Sequence, residues 1–205
     1  MNHVRFGFEV ETKGQTRSLV TQIHGDDLYE VDSTQKYNAL LEAPPPGDGV
    51  YTRLAHTPVY VFTADCVPIL LYTENPKGPV VAVHCGWRGA AAGIAAKALT
   101  LFQAEDGPVH LVIGPCIHGD QYEVKEDFVA SFETSDPNIR EHLVLKEGKM
   151  FFDVSRYVLD TQLNSIPASR RHLEHATCTF SSGLPSYRRN GNTQTRLRSW
   201  IEKIA

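Results

Sequence analysis

Four cysteines occur among the 205 residues, Cys66, Cys85, Cys116 and Cys178, and no two of them form a C-x-x-C pair. That absence excludes a zinc ribbon and a thioredoxin-type dithiol. In a chain of this size such thiols read as buried side chains, a metal ligand or a nucleophile rather than a disulfide framework. Long hydrophobic runs are missing too: no stretch approaches the ~18 uninterrupted apolar residues of a membrane helix. Positive charge is not in excess, since 20 Lys+Arg against 24 Asp+Glu leave a net charge of −4. Nothing in that balance draws the protein to nucleic acid or to an anionic membrane. The opening "MNHVRFGFEVETKG" lacks an apolar core behind basic residues, so the expected location is the cytoplasm. No internal repeat is visible, and residues 1–205 are expected to form one domain large enough to stand on its own core.

What is present is an alternation of apolar strand-like runs with helical spacing. "VRFGFEV" (4–10) and "TRSLVTQIHG" (16–25) read as strands, the second stopping at His24-Gly25. "EAPPPGDG" (42–49), with three prolines and two glycines, reads as an exposed loop. "TPVYVFTADCVPILLYT" (57–73) predicts a buried strand running into a site at Ala64-Asp65-Cys66 and a second strand leaving it. "VVAVHC" and "VHLVIGPC" are further buried strands, and "HATCTF" a short one. The alanine-rich "GAAAGIAAKALTLFQ", "VKEDFVASFE" and "VSRYVLDTQLNSI" read as helices. "SYRRNGNTQTRLRSWIEKI" reads as a polar loop closing in a basic amphipathic helix. Strands and helices alternate without a regular βαβ march, which predicts a three-layer α/β/α fold with a mixed sheet.

The chemistry concentrates at strand ends. "VTQIHG" ends in His24, "VFTADC" in Cys66 and "VAVHC" reaches His84. Strand ends of α/β folds converge on one crevice, and two imidazoles with one thiolate suit a catalytic zinc whose fourth position stays open for water. Each residue alone also has a structural reading: His84 as a buried His in a βα turn, His24 as a surface or capping His. Within "HCGWRGAA", Arg88 beside the backbone N–H groups of a helix start predicts an anion site suited to phosphate; a surface ion pair is its bland alternative. Trp87 is a core ring or a stacking platform for a base, with Gly86 and Gly89 letting backbone approach the ligand. Asp65 is a proton acceptor, a carboxylate behind the metal, or a turn former. Cys116 and His118 in "IGPCIHGDQYEV" are a conceivable nucleophile pair but read more simply as a packed thiol and an exposed His. Arg188 and Arg189 read as a solvated loop pair.

The motifs "TQIHG", "GDGVYT", "TADCVPILLY", "AVHCGWRGAAAGI", "IGPCIHGDQYEV", "CTF" and "SYRRNGNTQTR" run in the order of the YfiH family, also labelled laccase-domain or multicopper polyphenol oxidase proteins. The chain resembles that family from about Gln22 to Arg196. The resemblance implies the YfiH-like cysteine hydrolase fold and one zinc held by His24, Cys66 and His84. It implies a purine nucleoside enzyme that phosphorolyses adenosine, inosine, guanosine and methylthioadenosine and deaminates adenosine. The implied partners are purine nucleosides and phosphate, with Cys66, His84, Arg88 and Asp65 in the reaction and Arg88, Trp87, Gly86 and Gly89 at the substrate. The ordinary zinc deaminase signature, H-x-E with P-C-x-x-C, is absent. Two alternatives use other chemistry: a copper-dependent phenol oxidase, and a cysteine hydrolase with Cys66 as nucleophile and His84 as base.

Overall fold

The structure, a computed structural model, describes residues 3–191 and 193–204. Its strands are β1 (Val4–Thr12), β2 (Leu28–Val31), β3 (Gly49–Thr52), β4 (Val59–Thr63), β5 (Val67–Thr73), β6 (Val80–Cys85), β7 (Val109–Ile113), β8 (Glu123–Val124), β9 (Leu143–Lys146), β10 (Lys149–Phe152), β11 (Arg171–His172) and β12 (Thr195–Lys203). Six of them make a mixed sheet in the order β11-β7-β5-β6-β3-β2, parallel at both edges and antiparallel in between. The helices are α1 (Thr34–Glu42), α2 (Trp87–Ala91), α3 (Ile94–Leu99), α4 (Glu126–Glu133), α5 (Val154–Thr161) and α6 (Tyr187–Asn190).

Successive side chains of a strand point to opposite faces, and the sheet divides its apolar residues accordingly. Ile69, Leu71, Val81 and Val83 face Ile94, Ala95 and Ala98 of α3, Phe128, Val129 and Phe132 of α4, and Val158 of α5. Leu70, Ala82, Val50 and Val112 face the other way, against Leu40 of α1 and Val59, Val61 and Ile201 of a three-stranded antiparallel sheet, β1-β12-β4. The predicted three-layer arrangement with a mixed central sheet is therefore present; the second outer layer is that small sheet together with α1. Cover on both faces explains why β5 and β6 are near-continuous apolar runs rather than alternating ones.

Several local expectations are corrected. Residues 16–25 do not form a strand: Thr21 makes one isolated bridge to Pro46, and the backbone N–H groups of Ile23, His24 and Gly25 donate to the Asp48 carboxylate instead of to a neighbouring strand. "EAPPPGDG" is not an exposed loop throughout, because Glu42 ends α1 while Asp48 and Gly49 are buried. The alanine-rich run breaks into α2 and α3 at Gly93, whose φ of 81° is left-handed and available to glycine at little cost. Gln162 spans the break, donating to the Ala90 carbonyl and accepting from the N–H groups of Ala95 and Ala96. "HATCTF" contributes only a single bridge, Cys178 to Cys116.

The C-terminal segment is β12, not an amphipathic helix. Leu197, Ser199 and Ile201 are buried at period two. Arg198 lies directly opposite Glu9 on β1 and pairs with it and with Glu11. Those cross-strand ion pairs reward the extended form of a segment whose composition also suits a basic helix.

Candidate metal centre and adjoining cleft

Antiparallel pairing decides where the chemistry gathers. In the register of β5 and β6, Val67 lies opposite Cys85 and Pro68 opposite His84, so Cys66 enters the sheet beside the end of β6. β3 is antiparallel to β6 on its other side, with Gly49 opposite Val83, which brings Asp48 to the same end. His24 arrives on the loop before β2. Its φ of 64° and the 93° of Asp65 place both residues in the left-handed region, tight turns that aim neighbouring groups inward.

The donor atoms of His24, Cys66 and His84 all lie within 4.8 Å of one another. The two imidazole rings meet edge to face with centroids 4.8 Å apart. The trio expected from sequence is thus assembled, and among the described residues it is the one group of three or more His, Cys, Asp or Glu donors so placed.

A residue that sequence reasoning missed holds the trio in place. Asp48 is fully buried, and its Oδ1 lies 2.7 Å from His84 Nδ1. Oδ1 also accepts from the His24 N–H at 2.9 Å, while Oδ2 accepts from Gly25 at 2.6 Å and Ile23 at 3.2 Å. One carboxylate therefore orients the His84 ring, leaving Nε2 for a ligand, and pins the backbone that carries His24. Burial pushes the Asp48 carboxyl up, but His84 and the backbone donors outweigh it and hold the pKa below the ordinary value. The available signal was an acidic residue set between glycines directly before a strand.

Electrostatics fit a metal-binding thiolate. Burial alone would raise the Cys66 thiol, yet the adjacent His84 and His24 bring it down to about 6. Burial would likewise lower His84; the facing Cys66 and Asp48 charges raise it to about 9. Gly86 clears the space: a Cβ there would sit 2.8 Å from His24 Cδ2 and 3.1 Å from Cys66 Sγ. A Cβ on Gly89 would sit 2.9 Å from the Gly25 carbonyl. Gly89 thus admits the backbone of the His24 loop, and Gly86 makes room for the His24 ring and the Cys66 sulfur.

With the trio at this sheet end, the chain can be set beside other proteins. Residues 2–203 match the family described as multi-copper polyphenol oxidoreductase laccase. The chain belongs to that family. Similar curated proteins include a purine nucleoside phosphorylase of Aquifex aeolicus, 36% identical over 164 residues that cover 78% of this chain and 73% of that protein. Another of the same name, from Clostridium acetobutylicum, is 32% identical over 188 residues, covering 89% of this chain and 75% of that protein. The crystal structure of YlmD from Geobacillus stearothermophilus is similar with a TM-score of 0.76 at 25% identity, over 93% of this chain and 73% of that one. The Bacillus licheniformis hypothetical protein YfiH has a TM-score of 0.77 at 24% identity, over 92% and 76%.

In this laccase-family chain Trp87 and Arg88, which follow His84 closely, open a cleft of about 310 Å³ that Tyr122, Phe128, Arg188 and their neighbours complete. The Arg88 guanidinium stands 4.4 Å from the Trp87 ring centroid, and Arg188 stands 4.8 Å from that of Tyr122. Trp87 also packs on Phe128 at 5.1 Å, so it is a core ring with one edge in the cleft. α2 is only five residues long, so the anion site expected there depends on the Arg88 side chain more than on a helix dipole.

Asp65 spends both carboxylate oxygens elsewhere, on the Thr179 hydroxyl and the Arg188 N–H, each at 2.6 Å. Cys116 is fully buried and its thiol is pushed up by burial, while His118 Nε2 bonds the Ala176 carbonyl at 2.6 Å; they form no nucleophile pair. Cys85 is a core thiol, also pushed up by burial. Among the described residues no helix is long and apolar enough to cross a membrane.

Proposed function

We propose that the protein is a zinc-dependent purine nucleoside phosphorylase of the cytoplasm that also deaminates adenosine, with adenosine, inosine, guanosine and methylthioadenosine as its substrate range. The observation that carries this reading is a three-donor His24–Cys66–His84 centre, with a cleft of aromatic rings and two arginine side chains that begins three residues after His84. The donor set suits zinc: two imidazoles, a thiolate at neutral pH, and a buried carboxylate behind one of them. A bound zinc supplies a Lewis acid that brings the pKa of water to about 7.

The chain's own groups supply the rest. The parts of the Trp87 and Tyr122 rings left beside their stacked arginines offer apolar contact for a purine, and Arg88 binds phosphate as a two-pronged donor. In phosphorolysis a phosphate oxygen bonds to C1′ as the C1′–N9 bond breaks. In deamination water adds at C6 and ammonia leaves. His24 and Cys66 are held against Gly86, which keeps the centre compact. The names of the similar curated proteins support the phosphorylase assignment.

The test is metal analysis of purified protein together with adenosine turnover, with and without phosphate, products being separated chromatographically. One zinc per chain, adenine formed only with phosphate, and inosine formed without it are the expected results. Cys66→Ala is expected to lose zinc and purine release together; full activity in that variant would refute the metal-centred reading. A second reading has its own support, because Cys66, His84 and Asp48 form a thiol–imidazole–carboxylate series. Such a cysteine hydrolase would work free of metal, and alkylation of Cys66 would then silence a metal-free enzyme. The copper oxidase reading finds less support, since no second donor cluster lies among the described residues.

A further inference from the structure

We propose that Arg188 is the second arm of a phosphate clamp whose first arm is Arg88, and that Asp65 is the residue that positions it. This rests on the phosphorylase reading above and adds to it a binding residue and a positioning residue for the inorganic co-substrate.

The two adjacent arginines of "SYRR" are in different situations. Arg189 is saturated: its guanidinium donates to the carbonyls of Thr179, Phe180 and Leu184 and to Asn190 Oδ1, and so staples its own loop. Arg188 makes one side-chain bond, from Nη1 to the Glu123 carbonyl at 2.8 Å. Its Nε and Nη2 have no acceptor among the described residues, and its guanidinium rests over the Tyr122 ring at the cleft wall. The Arg88 guanidinium, on the same cleft, has no hydrogen-bond or ion-pair partner among the described residues and is stacked on Trp87. Two planar forks, each held by an aromatic ring and each with donors to spare, suit an oxyanion with several acceptor oxygens.

The cleft's charge balance agrees. Arg88, Arg188 and Lys125 line it against Glu123 and Asp127, and Glu123 is answered by Lys149 at 2.9 Å. A net positive wall remains for an anion. The cleft volume is at the lower end for small-molecule sites, room for phosphate and part of a second substrate.

Asp65 explains why Arg188 is where it is. The Arg188 N–H donates to Asp65 Oδ2 at 2.6 Å, and Oδ1 holds Thr179, whose own carbonyl is gripped by Arg189. Asp65 directly precedes the ligand Cys66 and sits at a φ of 93°, a conformation that costs a non-glycine residue energy. The same turn that aims Cys66 at the centre therefore fixes the arginine loop relative to it. Arg88 is tied to the centre independently, four residues after His84.

The experiment uses zinc-loaded protein and inosine phosphorolysis measured against phosphate at saturating inosine and the reverse. Arg188→Gln is expected to raise KM for phosphate about tenfold to a hundredfold, as loss of a charge-assisted two-pronged contact requires. KM for inosine should move less than about threefold, and Arg188→Lys, which keeps charge but not the fork, should recover only part of the loss. Asp65→Asn should raise KM for phosphate in the same direction with a smaller effect on kcat. Equal rises in both KM values, or a lowered Tm with unchanged phosphate KM, would overturn the clamp. Should the wild type phosphorolyse nothing, the functional reading fails, and calorimetric titration with inorganic phosphate alone decides the clamp. Binding that weakens in both Arg88→Ala and Arg188→Gln supports it; absent binding, or wild-type affinity in Arg188→Gln, overturns it.

Discussion

Replacing Asp48 by Asn tests whether the centre is held together by one buried carboxylate. The two side chains have nearly the same shape, so packing is preserved and only charge and hydrogen bonding change. In the wild type Oδ1 accepts from His84 Nδ1 and the His24 N–H, and Oδ2 from the Gly25 and Ile23 N–H groups. An amide keeps one oxygen and turns an NH2 group toward the other pair, so whichever way it is turned, two donors lose their acceptor. Bonds to a charged group are worth about 1.5–3 kcal/mol each, which puts the loss at about 3–6 kcal/mol before any relaxation. The partner behind a metal-bound histidine typically matters by about 10–100-fold in affinity. The assay is competition for zinc with a chromophoric chelator, paired with thermal unfolding of the zinc-free and loaded forms. The expected outcome is weaker zinc binding by at least tenfold and a lower Tm in both forms. Wild-type affinity with wild-type Tm would refute the argument that Asp48 organises the site.

Gly86→Ala should weaken metal binding by about tenfold or more with little change in the circular dichroism spectrum. The backbone there has a φ of −79° that any residue adopts, so the added Cβ acts through its contacts with His24 and Cys66. Asp106 is nearly fully buried and accepts both prongs of the Arg53 guanidinium, at 2.7 and 2.9 Å, which holds its carboxyl below the usual range. A carboxyl lowered in the folded state contributes stability that is present above the unfolded value of about 3.9 and disappears as pH falls through the folded value. Asp106→Asn should therefore cost about 2 kcal/mol in urea unfolding at neutral pH, a figure discounted for the partly exposed Arg53. The gap to wild type should close as acid titrates the wild-type carboxyl; a gap independent of pH would contradict the ion-pair account.

Much of the candidate site was readable in the residues themselves. Cys66 and His84 stand out as soft or borderline donors at the ends of buried strands, which in a layered fold meet at a common edge; His24 ends an apolar run too, but it reaches the same edge on a loop. The buried strands β4 to β7 and the helices α4 and α5 were legible for the same local reason, that periodicity of apolar residues is set by which faces are covered. Where the sequence misled, a distant partner outweighed local preference. The basic segment 195–203 is extended because Glu9 and Glu11 of the paired strand hold Arg198, and residues 23–25 stay irregular because Asp48 takes their N–H groups.

By itself, then, the sequence determined the chemistry available: one thiol and two imidazoles at the ends of apolar runs, an arginine and a tryptophan between glycines, and apolar runs sufficient for a layered α/β core. These are properties of residue type and short-range spacing. Only the tertiary structure decided which polar groups serve them. Antiparallel register brought Asp48 to His84 from 36 positions away, and the packing of α6 on the turn after β4 brought Arg188 to Asp65 from 123. It left Arg188 with a single side-chain bond at the cleft while saturating Arg189 beside it. A hydrogen-bond partner is chosen by position in space, and the chain sets that position only once its sheets have paired.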